Sequence, residues 1–205
     1  MPDLLYRSLV WLDVRLGVLF AVALPLVLLI WSLRRKEPAL LRLLSLYWKT
    51  ASLMLIALLL LVDGRPIGYP LLVIAPLLSL TTLWFWVDLN EELADLPPWR
   101  PLPLTLRIWR WGLSFWAGAG ALFSATALGC TNPTAMAQAR CDAWLRPPQA
   151  LHAVVERLFD FVFGGEWTPA VAAFIGYLGL AAFVVGLLQW LLVRLPRQGR
   201  VAGEF

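Results

Sequence analysis

Long apolar stretches recur along the chain, and shorter polar segments separate them. Residues 16–33 carry no charge, and about 20 apolar residues suffice for an α-helix to cross the hydrocarbon of a bilayer. Similar stretches predict four further spans, at residues 43–62, 67–87, 111–128 and 170–193. The pattern predicts an all-α, polytopic membrane protein with about five transmembrane helices, forming a single domain over residues 1–205.

The second apolar stretch is the weakest of the five, because Lys49 interrupts it. It can still span the membrane if the long lysine side chain extends to the headgroups. The segment Asp63-Gly64-Arg65-Pro66 then forms a tight turn, and the second and third spans pair as a helical hairpin. A shallow re-entrant pair is the alternative.

A further helix is predicted between the fourth and fifth spans, over residues 149–163. Its apolar side chains recur at helical spacing, at Leu151, Val154, Val155, Leu158, Phe159, Val162 and Phe163. His152 and Glu156 occupy the polar face, so this is an amphipathic helix at the membrane surface or against other loops. The prolines between residues 88 and 110 instead predict a connection without a continuous helix.

The composition indicates that lipid surrounds most of these side chains. Hydrophobic residues make up 60% of the 205 and charged residues 15%, whereas soluble domains are roughly 45–50% apolar and about 25% charged. The excess excludes intrinsic disorder and a soluble fold of this size. The lipid bilayer is therefore an expected partner. No basic stripe interleaved with exposed aromatic residues occurs, so we expect no nucleic-acid partner.

The distribution of basic residues predicts the orientation in the membrane. Five spans place the termini on opposite sides, which we call side A for the N-terminus and side B for the C-terminus. Side A holds six of the 17 Arg and Lys residues, and side B holds eleven. Because cytoplasmic loops are enriched in Lys and Arg, we expect a cytoplasmic C-terminus and a periplasmic or lumenal N-terminus.

The tryptophans fall close to the same span boundaries. There are twelve, and indole rings favour the level of the lipid headgroups. Nine lie at or near the ends of predicted spans: Trp11, Trp31, Trp48, Trp84, Trp86, Trp109, Trp111, Trp167 and Trp190. We expect these nine rings to form aromatic belts at the two membrane surfaces.

Cys130 and Cys141 both fall in the long connection on side A. They enclose a ten-residue segment, so ring closure is sterically feasible, and a periplasmic compartment is oxidising. We expect a disulfide; two free cysteines acting as small hydrophobic side chains are the alternative. His152 is the single histidine, so we expect neither a metal site nor a cofactor.

The most distinctive polar stretch reads WFWVDLNEELADLP. If the helix of the third span continues through it, Asp88, Glu91, Glu92 and Asp95 lie at i, i+3, i+4 and i+7, and all four carboxylates share one face. Asn90 lies within the same turn. Like charges at this spacing repel each other, so a compensating partner is expected. We call these five residues the acidic cluster.

Three interpretations of the acidic cluster stay open. It pairs with basic residues of its own chain on side B, namely the counter-cluster Arg34, Arg35, Lys36 and Arg42, and also Arg100, Arg107 and Arg110. Alternatively, it docks a basic patch of another membrane protein complex. The third interpretation is a bound Mg²⁺ or Ca²⁺, although the glycine-punctuated spacing of a calcium loop is absent. No nucleophile or cofactor motif lies nearby, so no catalytic residue is assigned and we expect no enzyme.

The acidic stretch, together with LVWLDVRLGVLF (residues 9–20) and LLVRLPRQGR (residues 191–200), resembles a cyanobacterial membrane-protein family known only as a domain of unknown function. The resemblance covers nearly the whole chain, and the acidic motif is its most specific part. It implies a photosynthetic bacterium and a plasma or thylakoid membrane. It implies no catalytic or binding residue.

The expected function is that of a non-enzymatic accessory, assembly or scaffold component which presents the acidic cluster on side B. The alternative is a small transporter or channel subunit that builds a polar path as an oligomer. Apart from Lys49, no ionisable residue falls deep within a predicted span, which disfavours ion-coupled transport by a single copy. Asp13 and Arg15 are expected to form a local ion pair where the first span begins.

Overall fold

Helices dominate the part of the chain that the structure describes, residues 2–132, 134–135 and 138–202. Within it the computed structural model has no strand, and five helices are long and apolar enough to cross a membrane. This confirms the predicted polytopic all-α fold. Seven helices are formed by these residues: α1 (consecutive segments Pro2–Gly17, Val18–Ala23 and Leu24–Arg35), α2 (Pro38–Val62), α3 (Gly68–Phe85), α4 (Val87–Asp95), α5 (Pro101–Ser124, continued by the 3-10 segment Ala125–Thr131), α6 (Ala139–Phe163) and α7 (consecutive segments Pro169–Gln189, Trp190–Arg194 and Leu195–Gln198).

Three helices begin earlier than their sequence patterns indicate. α1 starts at Pro2 rather than near residue 16, α5 at Pro101 rather than 111, and α6 at Ala139 rather than 149. In α5, Pro101 and Pro103 occupy the first turn, where the N–H that proline lacks would have no partner in the helix. Arg100 before them is extended (φ −71°, ψ 138°), as a residue preceding proline prefers. The predicted absence of a continuous helix between residues 88 and 110 is confirmed by the break at residues 96–100, whereas the predicted start of the fourth span at residue 111 was ten residues too late.

α2 and α3 form the predicted hairpin. They contain 25 and 18 residues, and a spanning helix needs about 17–25. In the turn between them, Gly64 has φ +66°, a left-handed conformation that glycine adopts without strain. Arg65 donates to Asp63 across this turn, with Nε 2.8 Å from Oδ2. The helix lengths favour complete crossing over a shallow re-entrant pair.

Pro25 disrupts the backbone hydrogen bonding in the middle of α1. Leu24 donates its N–H to Leu19, five residues back, rather than to Phe20 as in a regular α-helix. Pro25 has no N–H to donate to Ala21. The carbonyl of Phe20 therefore has no partner within its own helix, and the carbonyl of Ala21 lacks the donor that a regular α-helix would supply at position 25. In hydrocarbon an unpaired carbonyl would cost several kcal/mol.

Two aromatic side chains from neighbouring helices bind these carbonyls. Trp109 of α5 donates to Phe20 O at 2.8 Å, and Tyr47 of α2 donates to Ala21 O at 2.7 Å. The two bonds fix α1 against α2 and α5. Trp109 is 1% exposed and Trp86 7% exposed, so the prediction that they belong to a lipid-facing belt was wrong for both.

α7 is attached to the rest of the bundle along one narrow face. Only 17% of its spanning segment is buried, against 50% for α2. The contact with α2 uses glycine: a Cβ on Gly176 would lie 3.0 Å from Leu60 Cγ, and one on Gly179 would lie 3.2 Å from Ile56 Cγ1. Small residues permit such a close approach between membrane helices.

The side A end of the bundle is closed by a disulfide and by hydrogen bonds between neutral groups. Cys130 and Cys141 are joined, with their Cα atoms 5.7 Å apart. Tyr69 at the start of α3 donates to Cys141 O at 3.2 Å, and Trp144 of α6 donates to Tyr6 Oη of α1 at 2.8 Å. The bond and these contacts connect four helices at this end.

α6 begins in contact with the bundle and ends with its apolar face uncovered. Trp144 and Pro148 are buried, and so is His152, which the sequence pattern had placed on an exposed polar face. The Nδ1 atom of His152 lies 4.0 Å from Glu156 Oε2. Further along, Leu158 and its apolar neighbours are exposed, as in an amphipathic helix that lies at a membrane surface.

Candidate functional site

α4 lies at the side B end of the bundle, directly after a break in the helix. Trp86 is extended (φ −84°, ψ 112°), so the third span does not continue through Asp95 as one helix. Leu89 and Leu93 of α4, one turn apart, are buried in the same core as Leu43 of α2. This pair anchors α4 and leaves its polar face pointing outward. The i, i+3, i+4, i+7 spacing of the four carboxylates is preserved within α4 itself.

Arg110 of α5 is buried against the break between α3 and α4. Its Nη2 donates to Leu83 O and to Asn90 Oδ1, each at 2.6 Å, and its guanidinium carbon lies 4.1 Å from the centre of the Trp84 ring. Asn90 in turn donates to Trp84 O at 3.1 Å. Because a helix end leaves its last carbonyls without partners, these bonds stabilise the break. Asn90 therefore has a structural role and does not belong to the exposed acidic surface.

The C-terminal segment of the chain binds the same break from the other side. Arg200 donates from Nε to Phe85 O at 2.9 Å, and its own carbonyl accepts from Val87 N at 3.1 Å. Both carboxylate oxygens of Asp88 lie 3.0 Å from Ala202 N. Asp88 thus holds the chain's own C-terminal segment.

Glu92 forms an ion pair with Arg42 of α2. The side chains are 44% and 24% exposed respectively, so solvent screens the pair only in part. The other three members of the predicted basic counter-cluster, Arg34, Arg35 and Lys36, are exposed and form no ion pair within the described residues. Pairing within the chain therefore engages one residue of the counter-cluster.

Glu91 and Asp95 are the two carboxylates that remain on the outward face of α4. They lie one helical turn apart, both are exposed, and neither forms a hydrogen bond or ion pair in the part of the chain that the structure describes. Two like charges at this spacing destabilise a helix by about 0.2–0.5 kcal/mol. The chain tolerates this repulsion on a helix whose other face is fixed.

The acidic cluster does not converge on one point. Among the described residues, no three His, Cys, Asp or Glu side chains lie close enough together to hold a metal ion. Asp88 and Glu92 are directed to two different partners, Ala202 and Arg42. The geometry favours contacts with other chain segments over cation binding.

Asp13 lies in a setting that the sequence did not indicate. It forms no ion pair with Arg15 in the described part of the chain; the Arg15 guanidinium carbon lies 5.9 Å from the Trp11 ring centre instead. Asp13 lines a cavity of about 120 Å³, and Trp116 Nε1 donates to its carbonyl at 3.2 Å. Counting about 20 residues of helix from Arg35 puts Asp13 near the side A surface of the hydrocarbon.

The sequence pattern placed Arg110 among the side B cations that could pair with the acidic cluster, but did not predict its burial at the helix break, and it counted Arg200 only among the residues that set the orientation. For Arg110 a signal existed, because it stands inside the apolar run IWRWGL, and a charged residue there needs a buried partner. For Arg200 no comparable signal exists: its partners Phe85 and Val87 lie more than a hundred residues away in sequence.

Comparison with known protein families gives one match over nearly the whole length. Residues 7–203 match a family described as a protein of unknown function (DUF3177). The resemblance to a family of unknown function is thereby confirmed. No curated protein and no solved structure matches the chain, so the comparisons supply a family and no activity.

Proposed function

This chain belongs to the DUF3177 family, whose function is unknown, and we propose that it is a non-enzymatic accessory, assembly or scaffold component of a larger membrane complex. The acidic cluster supports this role because only some of its residues bind within the chain. Asp88, Asn90 and Glu92 bind the chain itself, whereas Glu91 and Asp95 carry their charges outward. We propose that this outward pair docks a basic segment of another membrane protein.

The anchoring of α4 makes this pair suited to recognition. Leu89 and Leu93 pack one face of α4 into the core, and Asp88 and Glu92 bind other segments of the chain. Little backbone freedom of α4 is therefore lost when a partner binds. One exposed ion pair at 4 Å is worth only about 1 kcal/mol in water. The two charges therefore set the partner's position and orientation, and the lipid-facing helices supply most of the contact area.

We propose that side B faces the cytoplasm of a cyanobacterium, with the protein in its plasma or thylakoid membrane. The orientation rests on the eleven basic residues of side B against six on side A, and the host rests on the family resemblance alone. A reporter fused to the C-terminus tests the orientation. Activity of a cytoplasmic reporter supports it, and activity of a periplasmic reporter in its place contradicts it.

A small transporter or channel subunit is the second candidate, and the cavity at Asp13 favours it. An ionisable side chain that lines a cavity among membrane helices marks a possible polar path. The cavity of about 120 Å³ has room for only a few water molecules, and Asp13 falls near one surface of the bilayer rather than at its midplane. Solute flux into liposomes that contain the purified protein, lost in Asp13→Asn, would establish this candidate over the first.

The docking proposal is tested by co-purification in mild detergent. The wild type is expected to recover a stoichiometric partner, and Glu91→Gln/Asp95→Asn is expected to lose it. The charge-preserving exchange Glu91→Asp/Asp95→Glu should retain the partner. Asp142→Asn/Asp160→Asn removes two acidic side chains on α6 and serves as the matched control. Equal recovery with all four proteins contradicts the role of the pair.

A further inference from the structure

A second polar feature lies on side B, in a cleft between α2, α3 and α7. Its volume is about 620 Å³, within the range of about 300–1,000 Å³ that is typical of small-molecule sites. Basic and polar side chains line one part of it: Lys49, Thr50, Thr81, Thr82, Gln189 and Arg194. Leu46, Leu78 and Leu187 line the remainder with other apolar residues. No acidic side chain of the described residues contributes to the lining.

The cleft exists because α7 separates from α2 after their glycine-mediated contact. A Cβ on Gly179 would touch Ile56, whereas one on Gly186, two turns further, would find nothing within 4 Å. Towards side B the gap is closed again by aromatic rings: the centroid of Trp190 lies 5.7 Å from that of Phe85 and 5.9 Å from that of Trp86. The cleft therefore lies between two contacts of α7, the glycine contact with α2 and the contact of Trp190 with Phe85 and Trp86.

The chemistry of the lining matches an anion that also carries an apolar chain. Lys49 and Arg194 supply two positive charges, and each also interacts within the chain, which holds both in position. Trp86 is 7% exposed, and its Nε1 has no hydrogen-bond partner. A buried N–H without an acceptor is costly, so the wall of the cleft carries a polar group that the described part of the chain does not satisfy.

The depth of Lys49 also fits the headgroup region of a lipid. α2 ends at Val62 on side A, and about 20 helical residues cross the hydrocarbon, so the other boundary falls near Leu43. Lys49 then lies 49 − 43 = 6 residues, or about 9 Å, below that boundary. A lysine at this depth extends towards the phosphate level. The sequence pattern already predicted that Lys49 extends to the headgroups, and an anionic headgroup in the cleft would give its charge a further partner there.

We propose that this cleft binds one anionic phospholipid. The phosphate lies beside Lys49 and Arg194, and an acyl chain follows the apolar wall formed by Leu46, Leu78 and Leu187. The proposal does not depend on the docking role of α4, because none of its carboxylates lines the cleft.

The test is native mass spectrometry of the full chain in mild detergent, titrated with phosphatidylglycerol or phosphatidylcholine. We expect one phosphatidylglycerol per chain, bound about 30-fold more tightly than phosphatidylcholine, since each basic residue near an anionic lipid contributes about a factor of five. Lys49→Gln/Arg194→Gln should abolish this preference. Arg34→Gln/Arg35→Gln, which removes two exposed cations of the same side, should retain it.

A second variant keeps both cations and fills the space. Gly186→Leu places a side chain where a Cβ meets no other atom and replaces a poor helix former with a good one, so the protein should fold and lose the bound lipid. Equal affinity for the two lipids, or equal loss in the cleft and control variants, overturns the proposal. Displacement of phosphatidylglycerol by millimolar inorganic phosphate would overturn the lipid assignment in favour of a soluble anion.

Discussion

The two ends of the bundle are closed by different kinds of interaction. At side A, a disulfide and hydrogen bonds between neutral groups join the helices, as between Trp144 and Tyr6. At side B, charged groups bind carbonyls, amides and one another, as in the contacts of Arg110, Asp88 and Glu92. The charged residues that flank Cys141 on side A are engaged locally, since Asp142 pairs with Arg146 and the Arg140 guanidinium carbon lies 5.7 Å from the centre of the Tyr6 ring. Side B retains Glu91, Asp95 and the cleft at Lys49, and for that reason we place function there.

The largest loss of stability is expected from Arg110→Leu at side B. The substitution leaves Leu83 O and Asn90 Oδ1 without their donor, and hydrogen bonds to a charged group are worth about 1.5–3 kcal/mol each. We expect the free energy of unfolding, measured by denaturing-detergent titration, to fall by about 3 kcal/mol. Arg107→Leu, whose bonds to Ala94 O and Leu96 O are longer at 3.3 and 3.4 Å, should cost less than half as much. An equal loss of stability in Arg107→Leu and Arg110→Leu would contradict the special role of Arg110 at the helix break.

Side A should depend on its disulfide almost as strongly. Cys130→Ser/Cys141→Ser should lower the free energy of unfolding by about 2–3 kcal/mol, the usual contribution of a bond that closes a short loop. Thiol titration of the denatured, unreduced wild type should find no free thiol. Two titratable thiols would show that the cysteines are unpaired in the cell, and side A would then lose its covalent link.

A smaller, local effect is expected when the C-terminal segment is released. Asp88→Ala removes the acceptor for Ala202 N, which should cost about 1 kcal/mol and speed tryptic cleavage at Arg197 and Arg200. Asp142→Ala is the side A counterpart, because it breaks an exposed ion pair with Arg146 and should leave the cleavage rate unchanged. Unchanged cleavage in Asp88→Ala would mean that this carboxylate does not hold the segment.

The smallest effect on stability is expected at the outward pair. Glu91→Gln/Asp95→Asn should change the free energy of unfolding by no more than about 0.5 kcal/mol, as is usual for exposed positions. The sign should be stabilising, since two like charges one turn apart are neutralised. A loss as large as that in Arg110→Leu would place the pair in the structural framework, and the docking role would lose its support.

The sequence predicted the features that depend on local pattern and missed those that depend on distant partners. The five spans follow from apolar runs, and the spacing of the carboxylates survives because α4 is itself a helix. The break at Trp86 was not predictable from its neighbours, since Arg110 and Arg200 stabilise it from other helices. Trp109 was assigned to the lipid surface, whereas the carbonyl left open near Pro25 binds it inside the bundle.

The central claim, that the protein meets its partner through side B, is tested most directly by site-specific photo-crosslinking in the native membrane. A photoreactive residue replaces Ala94, which is exposed on α4 beside Asp95, or Ala139, which is exposed at the start of α6 on side A. We predict a discrete crosslinked product from position 94 and none from position 139. A product from position 139 alone would contradict the account.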